Sequence, residues 1–127
     1  VEGTAWLKPG QYRGAYTIDL HKGNYRALCQ RTGPVTVYRD ADRSADLDTL
    51  TATEQTGYFG INIHRATSSG TSTEVNKWSA GCQVLASSTD FARLMDLADL
   101  QQTYHPTWTR YTYTLLTQAQ AQVNAQR

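Results

Sequence analysis

A histidine at 64 and a cysteine at 82 stand eighteen positions apart, and their residue types are those of nucleophilic chemistry. A thiol acts as its thiolate, and an ordinary pKa of about 8.5 leaves only a few per cent ionised at neutral pH. An active cysteine therefore needs a base or cation beside it, and the base needs a third group to aim its ring. His64 closes a strand-like run from Tyr58 to Arg65, in which Phe59, Ile61 and Ile63 share one face while Asn62 and His64 share the other. A loop of Ala, Thr, Ser and Gly then leads to Lys77-Trp78-Ser79-Ala80-Gly81-Cys82, and the chain turns apolar again at Val84 and Leu85. Gly81 permits a tight turn, and the N–H groups around Gly81 and Cys82 are candidates for an oxyanion hole. Asn62 and a backbone carbonyl are equal candidates for the group that orients His64. Trp78 is placed either to wall a peptide groove or to pack beneath its own loop.

This pattern of Ile-His, a polar loop, Ser-x-Gly-Cys, a short apolar run and a helix resembles the L,D-transpeptidase catalytic domain. The resemblance is good from Tyr58 to about Leu100 and general in the strands before it. His64 matches the family's upstream histidine, Ser79 its serine, Gly81 its glycine and Cys82 its nucleophile, and Asp90 falls near the aspartate after the cysteine. Two positions depart: Ala80 replaces the motif histidine that serves the family as general base, and Val84 replaces its arginine. His64 is then the base to expect, with Arg65 taking over a substrate carboxylate and Lys77 as a weaker candidate for that task. The resemblance implies a cysteine acyl transferase or hydrolase that acts on bacterial peptidoglycan stem peptides through a thioester. It also implies a place in the bacterial cell envelope, or secretion or delivery to the cell wall, in a synthetic or a lytic role. The rival from another class is a non-catalytic wall-binding or virion-associated β-domain. A papain-type protease is the weaker third option, because that family places Cys before His in the chain.

The elements that must position these residues are mostly strands. Eight tyrosines and abundant threonine favour strand over helix. Tyr12 to Leu20 and Tyr25 to Gln30 read as a hairpin around His21-Lys22-Gly23-Asn24, with Gly23-Asn24 suited to positive φ. In that register Cys29 is a small core residue, and His21 is a solvated hairpin-tip residue with a lesser claim to line a site. Val35 to Tyr38 reads as a third strand, Leu47 to Thr56 as an exposed connection and Tyr111 to Leu116 as a last strand. Ser87 and Asp90 form a capping pair before the one amphipathic helix, about Ser88 to Leu100, with Phe91, Leu94, Met95 and Ala98 on its apolar face. His105 precedes Pro106 as a surface or packing residue, and Gln118 to Arg127 reads as a frayed terminal helix. The fold expected is α+β and β-rich: a curved, mainly antiparallel sheet or two-sheet sandwich with one packed helix.

At 127 residues the chain is expected to be one L,D-transpeptidase-like domain, acting as a monomer. A formal charge of +1 with scattered Lys and Arg argues against a nucleic-acid surface. No run approaches the length of a transmembrane helix. The chain opens at Val1 without a signal-like segment and is expected to be a mature form or an excised domain. Asp40, Asp42, Asp46 and Asp48 invite comparison with a calcium loop. Ala45 stands where such a loop needs glycine, however, and Thr51 where it needs glutamate, so a solvated acidic loop is the expectation. No cofactor or metal is expected. Cys29 and Cys82 are candidates for a disulfide in a secreted protein, but a reactive, free Cys82 is the better match to its flanking residues.

Overall fold

In a computed structural model, residues 5–39, 53–72 and 81–125 are described. The strands are β1 (Ala5–Leu7), β2 (Gly10–His21), β3 (Tyr25–Gln30), β4 (Val35–Arg39), β5 (Thr53–Gly57), β6 (Ile63–Arg65), β7 (Gln83–Leu85) and β8 (Tyr111–Leu115); the helices are α1 (Ser88–Tyr104) and α2 (Gln118–Ala125). They form a three-stranded sheet in the order β1-β4-β5 and a five-stranded sheet in the order β7-β6-β3-β2-β8. Every pairing is antiparallel except β6 with β7. The expected β-rich α+β fold is the fold observed.

Both sheets and α1 share one core. Val35 and Val37 of β4 and Leu7 of β1 join Tyr16, Leu28 and Ile63 of the larger sheet and Phe91, Met95 and Ala98 of the helix. The helix starts as expected: Ser87 is extended, and its hydroxyl accepts the Asp90 N–H at 3.2 Å. It runs to Tyr104, past the expected end at Leu100, and stops before Pro106, which disfavours helical backbone at His105. The Gln101 side chain donates to the carbonyls of Trp108 and Arg110 and ties the added turn to the start of β8.

Three expectations need correction. The segment read as an exposed connection, Leu47 to Thr56, includes all but the last residue of β5, a full partner of β4 from Arg39–Thr53 to Val35–Gly57; its Thr-Glu-Gln-Thr sequence lies at a sheet edge, where polar residues are tolerated. The run from Tyr58 to Arg65 is strand only at Ile63–Arg65, because Gly60 takes a left-handed φ of +67° and turns the chain before it. In the first hairpin it is Lys22 (φ +51°) and Gly23 (φ +70°) that turn left-handed, and the Asn24 N–H closes on the His21 carbonyl at 2.9 Å. The aspartate-rich loop at 40–48 lies outside the described residues. Among the described residues, no helix is long and apolar enough to cross a membrane.

Candidate active site

Period-2 alternation places the chemistry. Leu28, Ile63 and Leu85 line an apolar cavity of about 490 Å³ together with Leu94 and Ala98, so these strand residues face α1. Asn62 and His64 alternate with Ile63 and therefore face the other way. The parallel register pairs Ile63 with Gln83 and His64 with Val84, and the Gln83 N–H donates to the Asn62 carbonyl at 2.9 Å. Continued one residue upstream, that register sets Cys82 beside Asn62, on the face that carries His64. His64 and Cys82 are thus diagonal neighbours, their Cα atoms about 8 Å apart from a strand spacing of about 4.8 Å and a rise of about 3.3 Å per residue.

The turn before Cys82 requires glycine. Gly81 has a φ of +98°, and a Cβ there would stand 3.0 Å from the Ala5 carbonyl oxygen and 3.2 Å from Ile61 Cδ1. The Cys82 thiol is half-buried and donates to the Gly60 carbonyl at 3.4 Å. Burial pushes its pKa up, while the Asn62 backbone N–H and the Lys22 charge oppose that shift. Neither cysteine is in a disulfide, and Cys29 is wholly buried as a core residue.

His64 is buried, and its Nδ1 lies 2.9 Å from the Arg65 carbonyl. A carbonyl only accepts, so Nδ1 carries the proton and Nε2 keeps its lone pair. A backbone carbonyl therefore does the orienting, and Asn62 serves a different imidazole. The Gln30 N–H donates to Asn62 Oδ1 at 3.0 Å, which directs the amide nitrogen to His21 Nδ1 at 3.1 Å. His21 is 6 % exposed and stacks on His64, with ring centroids 4.1 Å apart and planes tilted by 17°. The expectation of a solvated His21 is thereby corrected: β2 extends to position 21 and lays the ring against β6. Burial lowers the pKa of both imidazoles, that of His21 to about 4, with the charges of His64, Lys22 and Arg31 adding to the effect on His21. Burial thus favours the neutral forms of the Cys82 thiol and of both imidazoles.

Arg65 follows His64 and alternates to the opposite face of β6. Its guanidinium sits 4.0 Å from the centre of the Tyr25 ring, and the Tyr25 hydroxyl lies 3.3 Å from both the N and the O of Arg65. The structure therefore does not bring the Arg65 side chain together with Cys82. Its backbone carbonyl is the part that reaches the site. Lys22 is the cation whose charge acts on His21, His64 and Cys82 alike. Ser79, Trp78 and Lys77 lie outside the described residues. Among the described residues no group of His, Cys, Asp and Glu is arranged to hold a metal ion.

No family model, curated protein or solved structure matches the chain.

Of two further residues that build this site, the sequence gives His21 only a lesser claim and Gln30 none. His21 carried a weak signal, its place on a strand face, but only the β3–β6 pairing brings it to His64. Gln30 carried none. It is buried, donates to the carbonyls of Gly33 and Gly57, and accepts the N–H groups of Phe59 and Ile61. It thus shapes the whole turn that delivers Gly60 and Asn62 to the site, and the Tyr16 hydroxyl adds a bond to the Ile61 carbonyl at 2.7 Å.

Proposed function

We propose that the chain is a cysteine acyl-transfer enzyme of L,D-transpeptidase type, acting on peptidoglycan stem peptides at the bacterial cell wall. The observation that best supports this is the state of His64. Its Nδ1 is held by the neighbouring carbonyl, its Nε2 is left as an acceptor, and Cys82 is on the same sheet face. His64 would take the thiol proton as the sulfur attacks a peptide carbonyl, and the backbone turn at Gly81 would present N–H groups to the oxyanion. Collapse of the tetrahedral adduct breaks the C–N bond, and the departing amine leaves with the proton from His64. The thioester is resolved by a second amine in transpeptidation, or by water in carboxypeptidase or endopeptidase hydrolysis. With the thiol raised and the imidazoles lowered, proton transfer belongs to the attack itself and no thiolate–imidazolium pair is stored beforehand.

That raised thiol is also what favours the second reading, a wall-binding module without catalysis. Digestion of purified peptidoglycan separates the two. The enzyme is expected to yield new peptide products, identified by mass, that Cys82→Ala does not. A wall-binding module is expected to sediment with peptidoglycan and to leave its product masses unchanged.

A further inference from the structure

We infer that His21 is a positioning residue that holds the His64 ring in the plane and tautomer needed to accept a proton at Nε2, an inference that rests on the proposed catalytic role of His64. A histidine side chain turns about two bonds, and one hydrogen bond at Nδ1 fixes only one edge of its ring. The stacked His21 ring, with centroids 4.1 Å apart, covers one face of His64 and blocks that rotation. His21 is itself pinned. Its Nδ1 accepts from Asn62, and Asn62 is oriented by the Gln30 backbone N–H, so a chain of contacts ties the base to the buried centre of the sheet. Tyr25 flanks His21 at 5.6 Å, and its hydroxyl braces the Arg65 backbone, whose carbonyl holds His64 Nδ1.

The hydrogen-bond partners give the two rings opposite tautomers. His64 carries its proton on Nδ1 because its partner is a carbonyl. His21 carries its proton on Nε2 because Asn62 donates to its Nδ1. His21 therefore has no open lone pair and does not compete for the role of base. The groups that face His21 are His64 from β6, Asn62 just before it and Tyr25 from β3, with Lys22 beside it on its own hairpin and Arg31 just after β3. Burial keeps its ring neutral, and the positive charges of Lys22 and Arg31 add to that.

Side-chain nitrogen NMR of ¹⁵N-labelled protein, read beside kcat and KM on a wall muropeptide, tests this. At pH 7 the wild type is expected to show His64 protonated at Nδ1 and His21 at Nε2. In His21→Ala the His64 nitrogens are expected to average between tautomers. Its kcat should fall about tenfold to a hundredfold, the effect of a reacting group misplaced by about an ångström, with KM within about twofold. His21→Phe keeps a flat ring against His64, so it should preserve the Nδ1–H signal and lose less than about fivefold in kcat. The inference is overturned if His64 carries its proton on Nε2 in the wild type, or if His21→Ala leaves the His64 spectrum and kcat unchanged. It is equally overturned if His21→Phe loses as much activity as His21→Ala with an intact His64 spectrum, for then a His21 nitrogen takes part directly. If His21→Ala does not fold, the wild-type tautomers and His21→Phe decide. If no preparation turns over muropeptide, the catalytic proposal fails, and the spectra still report whether His21 holds His64.

Discussion

Replacing Gln30 by leucine should cost this protein about 3–5 kcal/mol of stability. The side chain is 3 % exposed and makes four hydrogen bonds: Nε2 to Gly33 O at 3.1 Å and Gly57 O at 2.8 Å, and Oε1 from Phe59 N at 3.2 Å and Ile61 N at 3.0 Å. Leucine is similar in size but leaves two N–H groups and two carbonyls without this partner. A buried donor left unmade costs about 1–3 kcal/mol, and a carbonyl with a second lone pair costs less. The sum is a large part of a stability of about 5–15 kcal/mol. Urea unfolding followed by tryptophan fluorescence measures it, with Gln11→Leu as an exposed control expected to stay within about 0.5 kcal/mol. Gln30→Glu adds a check of sign. A carboxylate keeps the acceptor, but its second oxygen faces two carbonyls and needs a proton, so its folded pKa is raised above the ordinary value of about 4.3. Relative to wild type, its stability should be restored below that pH and lost as pH rises through the folded pKa. A Gln30→Leu cost under about 1 kcal/mol, or a Gln30→Glu penalty that does not shrink in acid, would refute the hydrogen-bond account of the Gly57–Asn62 turn.

Gly81→Ala combines a left-handed φ with contacts at 3.0–3.2 Å, and should cost about 2–4 kcal/mol in the same assay. Ala5→Gly removes only the Cβ contact at 3.1 Å and should rescue it in part, since the Ala5 carbonyl oxygen stays. Alkylation of Cys82 by iodoacetamide should report an apparent pKa above the ordinary thiol value, and Lys22→Gln should raise it further by removing a charge that favours the thiolate. Because burial lowers His21 to about 4 in the folded chain against about 6.5 when unfolded, stability should be complete well above pH 6.5 and fall by about 3 kcal/mol as pH drops to 4. His21→Phe should flatten that decline, as seen by urea unfolding at stepped pH.

The sequence was most legible where local signals agree with the final packing. Ser87 and Asp90 marked the helix start, the Phe91–Ala98 stripe marked its buried face, and Tyr25 to Gln30 is strand with Cys29 inside. Asn62 and His64 on one face, opposed to Ile61 and Ile63, was a period-2 inference, and it set the face on which Cys82 had to be sought. What stayed hidden was long-range. Nothing near Thr53 signals an edge strand, because its polar side chains are those of a loop. Nothing near Gln30 announces that its amide closes a turn some thirty residues later. His21 has the sequence signature of a hairpin-tip residue, yet β2 extends to it and its ring reaches past β3 to stack on His64. Arg65 adjoins His64 in sequence, but one step along a strand is also a change of face, and its guanidinium lies over the Tyr25 ring.

Intact mass spectrometry of the protein, quenched in acid during reaction with a purified muropeptide, tests most directly whether Cys82 is acylated with His64 as base. Wild type should carry a peptidyl adduct that maps to Cys82. The adduct should be absent from Cys82→Ala and should form about a hundred to ten thousand times more slowly in His64→Ala. Product formation by wild type without any adduct on Cys82, or an adduct that forms at an unchanged rate in His64→Ala, would contradict it.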